Sequence, residues 1–391
     1  MVEELVCNLC RFAHVEQDRC VPEDICIRQE VPLALANAFA DIHVSAPGAA
    51  SYFVEVKLGY SRERLLESVR RKFSNPSPLF AVAQKLVLVF DPEDGEWLQL
   101  EVDIVGLLPA HWRLELWNAV TLLQKLSEHF GTHPDDLSLD QLHDLRGVIE
   151  ATKARHAFGE GATHDGLEAT LLWQFSHWRL RELLARAEGQ KRAILEAGSY
   201  RSAVVVFADL CGFSGYVRDT PSGRTIQTAL SGFCCKARYQ VINDGGMLYQ
   251  FLGDAVIGIF GVPDRQPDYA ARAFGCAQAL LDIANAVSQD WQRQIDRLQP
   301  VGGAHIGMAI GELQFLTLRP FDQAHFGIIG DAINMAARLS SAAQTGEIVV
   351  SNSLQTRLPL KIQRLLKETE PVEAKNVGRI KAWKFQAQAR E

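Results

Sequence analysis

Two apolar runs that each lead into an aspartate constrain this chain more than anything else in it. Ala203 to Phe207 has the length and β-branched content of a buried strand and runs on to Asp209. Met247 to Leu252 and Ala255 to Phe260 read as a hairpin turned at Gly253-Asp254. Laid side by side, strand and hairpin bring Asp209 and Asp254 to one sheet edge. Two carboxylates that close repel unless cations neutralise them, and Mg²⁺ or Mn²⁺ held by carboxylates and substrate phosphates is the usual resolution. Directly after Asp209, Cys211-Gly212-Phe213-Ser214 opens helical sequence, so backbone N–H groups near Gly212 and Phe213 are placed to receive phosphate oxygens. The arrangement suits a nucleoside triphosphate.

Three blocks, FADLCGFSGY, GGMLYQFLGDAVIGIF and FGIIGDAINMAARL, occur in that order. They resemble the signature blocks of class III nucleotidyl cyclases, which convert a nucleoside triphosphate into a 3′,5′-cyclic monophosphate; the likeness runs over residues 200–388. It implies an α+β catalytic domain with a ferredoxin-like antiparallel sheet and helices. It also implies two Mn²⁺ or Mg²⁺ ions per site, bridged by Asp209, Asp254 and the backbone carbonyl of Leu210. The segment from Asp331 to Ala343 reads as a helix, and spacing of i and i+4 puts Asn334 and Arg338 on one of its faces. By the resemblance, Asn334 orients the ribose and Arg338 stabilises charge on the α-phosphate. The stretch VEAKNVGRIKAW is similar to the family's lysine-glycine segment, making Lys375 the candidate triphosphate grip, with Lys381 in reserve. Metal aspartates and the Asn334/Arg338 helix come from opposite protomers in the family, so a head-to-tail homodimer with shared sites is expected.

The base-reading positions differ from the adenylate-specific pattern. Gln250 stands four residues before Asp254, where those cyclases have lysine, and His325 stands five before Gly330, where they have aspartate. Both departures resemble the bacterial pyrimidine cyclases of anti-phage signalling, whose cyclic UMP or cyclic CMP activates a separate effector. Strand alternation puts Gln250 on the face of Leu248 and Leu252, one amide in an apolar wall that can pair with the N3–H and carbonyls of uracil. The expected substrate is UTP; cytidylate cyclase, adenylate cyclase and an inactive nucleotide-binding module are the alternatives.

The remaining half needs composition. At 391 residues with 47% hydrophobic and 22% charged residues, two or three globular domains are expected. The net charge of −7 argues against broad attraction to nucleic acid or anionic membrane, although a basic patch on the N-terminal domain stays open. No run approaches 18 apolar residues and the start MVEELVCNLCRF is acidic, so a soluble, cytoplasmic protein is expected. The expected domains are an α/β regulatory or sensor domain over 1–158, a linker and connecting helix over 159–199, and the cyclase domain over 200–391. In the first, Pro32 to Phe39 has helical character, Asp41 to Val44, Tyr52 to Val56 and Lys85 to Phe90 read as strands, and Ser61 to Phe73 as a charged helix. Asp41 with Glu55-Val56-Lys57 resembles the signature of the restriction-endonuclease-like fold, Glu23 being a candidate preceding acid; a half-buried strand with alternating charges is the plainer reading. Trp112 to Arg155 reads as two helices broken at Gly131 to Asp135, and Leu167 to Leu195 as one long helix. Cys7, Cys10, Cys20 and Cys26 can wrap a zinc ion or line a buried helix face, while Cys211, Cys234, Cys235 and Cys276 are expected as core filling.

Overall fold

A computed structural model describes residues 2–35, 38–90, 97–130, 145–163, 166–195, 197–295, 302–318, 325–374 and 378–386. The chain forms two compact units, Met1–His156 and Ala157–Ala389, each with an apolar core of its own. Among the described residues no helix is long and apolar enough to cross a membrane.

The first unit runs α1 (Val2–Gln17), β1 (Cys26–Pro32), β2 (Phe39–Ser45), β3 (Ser51–Val56), α2 (Arg62–Phe73), β4 (Ala83–Val89), α3 (Trp97–Val105), β5 (Arg113–Trp117), α4 (Ala119–Phe130) and α5 (Leu145–Phe158). Its sheet has the order β1-β2-β3-β4-β5, antiparallel from β1 to β3 and parallel from β3 to β5. Phe53, Phe73, Phe80 and Trp112 stack or meet edge-on at centroid distances of 5.2 to 5.8 Å and centre its core. Two helical expectations fail here. Between Pro32 and Phe39 the chain turns, closed by Leu33 N–H donating to the Ala38 carbonyl at 2.8 Å, because Pro32 ends a strand instead of opening a helix. Leu114 and Leu116 belong to β5, where the period of two in RLELW outweighs the helical spacing; the helix starts only at α4, after Asn118 Oδ1 accepts from the Thr121 N–H at 2.8 Å. The expected break at Gly131 to Asp135 lies outside the described residues. Cys7 and Cys10 are buried on α1, where burial pushes the Cys10 thiol up to about 11, while Cys26 is exposed; the four cysteines form no metal-holding group among the described residues.

Asp41 on β2, Glu55 and Lys57 at the end of β3 and Lys72 on α2 form a buried ionic quartet. Lys57 pairs with Asp41 and lies 2.9 Å from Glu55; Lys72 lies 3.0 Å from Asp41 and 2.6 Å from Glu55. Asp41 also accepts from the Val56 N–H at 2.8 Å. The place between the two carboxylates is thus held by the Lys72 ammonium, and the sum of charges is zero. Burial works against the charge on Asp41, but Lys72 and Lys57 outweigh it and hold its carboxyl well below the usual range. Burial likewise opposes charge on both lysines, and Glu55 and Asp41 outweigh it and raise them.

The second unit contains α6 (Gly166–Gln174), α7 (His177–Arg186), β6 (Gly198–Leu210), α8 (Phe213–Asp219), α9 (Gly223–Asn243), β7 (Met247–Leu252), β8 (Ala255–Phe260), α10 (Tyr269–Ile295), β9 (Ala304–Leu318), β10 (His325–Ile329), α11 (Asp331–Ala342), β11 (Glu347–Ser351), β12 (Lys367–Glu368), β13 (Val372–Ala374), β14 (Gly378–Ile380) and β15 (Ala382–Gln386). The main sheet follows the order β12-β15-β11-β9-β6-β8-β7, with β10 also on β9. The long helix expected over Leu167 to Leu195 is broken. Ser176 Oγ caps a fresh helix by accepting from the Arg179 N–H at 3.2 Å, and Gly189 leaves helical geometry at φ +79°. Arg238 of α9 donates to the Trp173 carbonyl at 2.9 Å and pins the end of α6, so the stretch expected as a linker carries helices that pack within this unit. Cys211 and Cys276 are buried as expected; Cys235 is exposed, on the outer face of α9.

One close approach fixes the rest. α11 lies on β9 with almost no side chain between them: a Cβ at Gly307 would collide with the Ala336 carbonyl oxygen and the Ser340 amide, and one at Gly311 would meet the Ala332 Cβ at 3.0 Å.

Removing Lys72 leaves a buried, uncompensated negative charge. Lys72→Met should therefore destabilise the first unit by about 3–5 kcal/mol, read as faster hydrogen exchange of the β2 and β3 amides. The pH dependence follows from the directions of the shifts. Asp41 is depressed, so its contribution holds above the unfolded carboxyl value of about 4 and drains as acid approaches its lower folded value; the lysines are raised, so theirs holds below about 10 and drains as base reaches their folded values. Wild-type protection of these amides should be flat between those limits, and Lys72→Met should lose it across the plateau.

Candidate active site

The site begins with pairing. β6 runs antiparallel to both β8 and β9, with Ala208 opposite Val256 and Asp209 directly opposite His305. Val204, Val205 and Val206 are fully buried, so β6 is anchored along its middle and delivers Asp209 half-buried at its end. Asp254 follows Gly253, which takes φ +65° to turn the β7–β8 hairpin. The two carboxylates feel one another. Burial raises Asp209, opposed by His305 and a hydrogen bond from the Leu210 N–H; burial first and Asp209 second raise Asp254. Sequence reasoning placed the two aspartates together but missed His305. Its Nε2 stands 3.7 Å from Asp209 Oδ2 and its Nδ1 is 3.0 Å from Ser340 Oγ on α11. The missed signal was register: on a strand paired with β6, one residue faces the aspartate across the ladder. The three side chains do not by themselves close around an ion.

Leu210 is buried, and the Cys211 N–H donates to the Gly303 carbonyl at 2.9 Å, which holds the chain as it leaves β6. Gly212 sits at φ +69° as the residue before α8, and the N–H groups of Gly215 and Tyr216 donate back to its carbonyl. Phe213 turns its ring inward, edge-on to Trp291 at 6.0 Å, so its backbone and not its side chain is what the helix start offers.

Gln250 differs from expectation. A β-bulge between Leu248 and Gln250 adds one residue to β7 and flips the parity of its alternation. Leu248 is buried in the core and Phe251 packs against it, whereas Gln250 and Leu252 are exposed on the sheet edge. The amide therefore does not share a face with Leu248. Tyr249, beside it, donates its hydroxyl to the Ile328 carbonyl at 3.2 Å, linking β7 to β10, the strand that begins at His325. On α11, Ala332, Ala336, Leu339 and Ser340 face inward, Asn334 is exposed and Arg338 half-buried. Arg338 Nη1 is buried and has no hydrogen-bond partner among the described residues. Lys375 lies outside the described residues; Lys381 pairs with Glu368 at 3.0 Å and stacks on Trp383.

Residues 195–387 match the family model of the adenylate and guanylate cyclase catalytic domain. An uncharacterized protein of Mycobacterium tuberculosis strain H37Rv is 28% identical over 166 residues, which are 42% of this chain and 28% of that protein. Another, from Mycobacterium bovis, is 27% identical over 215 residues, 55% of this chain and 32% of its own. The chain spans less than a third of the length of these curated relatives. Among solved structures, the adenylyl cyclase CyaB from P. aeruginosa is similar with 20% identity and a TM-score of 0.44, over 50% of this chain and all of that one. The guanylyl cyclase Cya2 shows 21% identity and a TM-score of 0.43 over 49% of this chain and 96% of its own. Residues 195–387, with Asp209, Asp254 and the α11 helix in place, form a catalytic domain of the class III adenylate and guanylate cyclase family.

Proposed function

We propose that the chain is a pyrimidine nucleotide cyclase that converts UTP to 3′,5′-cyclic UMP and pyrophosphate, with sites shared between two copies. The observation carrying the base choice is the Tyr249–Ile328 hydrogen bond, which draws the strand of Gln250 towards that of His325. Those are the two positions where the lysine and aspartate of adenylate-specific cyclases are missing. Gln250 is exposed in the single chain, as a residue that meets substrate at a site completed by a second copy would be. Its amide can accept from N3–H and donate to a carbonyl of uracil, and His325 can donate to the opposite carbonyl. A glutamine amide can pair with adenine as well, so what disfavours ATP is the missing lysine and aspartate of the adenylate-specific pattern.

The donor set suits a divalent cation: two carboxylates held high by burial, with an imidazole beside them. Asp209, Asp254 and the Leu210 carbonyl would hold two Mg²⁺ or Mn²⁺ ions, which supply, when bound, an acidified 3′-hydroxyl and a neutralised polyphosphate. The rest falls to the chain. Backbone N–H groups at Gly212 and Phe213 receive phosphate oxygens, Lys375 grips the triphosphate, and Asn334 orients the ribose. As the bond from the 3′-oxygen to the α-phosphorus forms and the bond to pyrophosphate breaks in line, Arg338 meets the developing charge, and its unpartnered Nη1 is the donor to spare. The hydroxyl proton leaves to solvent. The first unit acts as the regulatory or sensor part, and the cyclic nucleotide activates a separate effector in anti-phage defence.

Incubated with each of the four ribonucleoside triphosphates and Mn²⁺, the full chain should make cyclic UMP as its main product. Preferential conversion of ATP would refute the base reading, while preference for CTP would reverse the assignment of the Gln250 amide. Asp209→Ala and Arg338→Ala should each lose activity by about 10²-fold or more. Mixed in equal amounts, they should recover about a quarter of the wild-type sites, since half of the dimers are mixed and one of the two sites in each is intact. Recovery absent after verified subunit exchange would place each site within one chain.

A further inference from the structure

His305 is the one group at the metal carboxylates that the sequence did not single out, and its hydrogen bonds decide what its second nitrogen can do. Ser340 Oγ donates its only proton to the His305 carbonyl, 3.2 Å away, because a carbonyl can only accept. The 3.0 Å contact between Ser340 Oγ and His305 Nδ1 must then be donated by the ring, so Nδ1 carries the hydrogen. In the neutral ring this leaves a lone pair on Nε2, the nitrogen that stands near Asp209. The 3.7 Å from Nε2 to Asp209 Oδ2 is too long for a shared proton. It lies between the separations of two ligands on one octahedral cation, since atoms about 2.1 Å from a common ion stand about 3 Å apart at a right angle and about 4 Å apart when opposite, so a small side-chain adjustment brings both onto one ion. An imidazole whose other nitrogen donates to a fixed oxygen is how protein metal ligands are commonly oriented.

We propose that His305 is a nitrogen ligand of the divalent cation that Asp209 binds, and that Ser340 holds it in the ligating tautomer. The proposal rests on the reading of Asp209 and Asp254 as metal carboxylates and extends it by a donor of a different kind. An imidazole donor is one that Mg²⁺, which takes oxygen, does not favour. It also ties the cation to α11: the ring that meets the ion on one side is bonded to Ser340, two residues beyond Arg338, on the other.

The test is electron spin-echo spectroscopy of Mn²⁺ bound to the full chain, with inorganic tripolyphosphate as a nitrogen-free phosphate probe. Wild-type protein should show nitrogen modulation from a coordinated imidazole, altered in frequency when histidine alone is labelled with ¹⁵N. His305→Gln should abolish the modulation, and Ser340→Ala should keep it while weakening Mn²⁺ binding by about tenfold or more. Melting curves show whether each variant is folded, and His305→Asn takes the place of His305→Gln if the latter is not. Mn²⁺ bound without nitrogen modulation, or modulation that survives in folded His305→Gln, overturns the proposal, as does Mn²⁺ affinity unchanged in folded Ser340→Ala. Failure of the functional reading looks different: Mn²⁺ bound with histidine nitrogen while none of the four triphosphates is cyclised. Wild-type protein that binds no Mn²⁺ removes both.

Discussion

The antiparallel ladder between β6 and β9 is the constraint on which the site depends. It places Asp209 opposite His305, and it sets Gly307 and Gly311 on the strand where α11 comes down. A shift of one residue in this register would turn Asp209 to the other face of the sheet and separate it from both His305 and Asp254. Val204, Val205 and Val206 are buried on both faces of β6 and anchor the strand between β8 and β9. Chemistry at the end of the strand is thus secured by apolar burial in its middle.

The two units treat a pair of carboxylates in opposite ways. In the first, Asp41 and Glu55 meet two lysines from the same chain, and the resulting cluster is neutral without help. In the second, Asp209 and Asp254 are both held high, by burial first, and among the described residues the opposing influences are the His305 imidazole and backbone hydrogen bonds. A charge deficit at a strand end is what the proposed cation site requires, while a balanced cluster of similar residue types is complete without one. The Asp41 and Glu55-x-Lys57 pattern looked alike in sequence for both cases; Lys72, seventeen residues beyond Glu55 and on a helix, decides between them.

Much of the site was legible in the sequence because it lies in contiguous blocks. Strand, hairpin and helix each carry their candidate residue at a fixed local offset, and the fold puts Asp209 at the end of β6, Asp254 at the β7–β8 turn and Asn334 and Arg338 on α11. What was not legible depended on neighbours or on single-residue irregularities. The bulge in β7 reversed the face of Gln250, and nothing in MLYQFL signals an extra residue before the partner strand is known. β5 was lost among helical spacings because RLELW is too short to outvote the residues after it, and only its parallel pairing with β4 makes it a strand. His305 was not singled out in the sequence, since its partners Asp209 and Ser340 lie about a hundred residues before it and 35 after.

The bare contact of α11 on β9 has a consequence for reading other chains of this kind. Catalytic side chains are easily inventoried, and a chain that retains all of them is readily taken for an active enzyme. Here the helix bearing Asn334 and Arg338 reaches its place only because the strand beneath offers hydrogen atoms at 307 and 311, and the helix replies with alanine at 332 and 336. A descendant with valine or serine at the first of these glycines would keep every polar side chain and still displace the helix that bears them. The absence of two methyl groups is therefore a condition for the placing of this helix, and one that an inventory of polar residues overlooks.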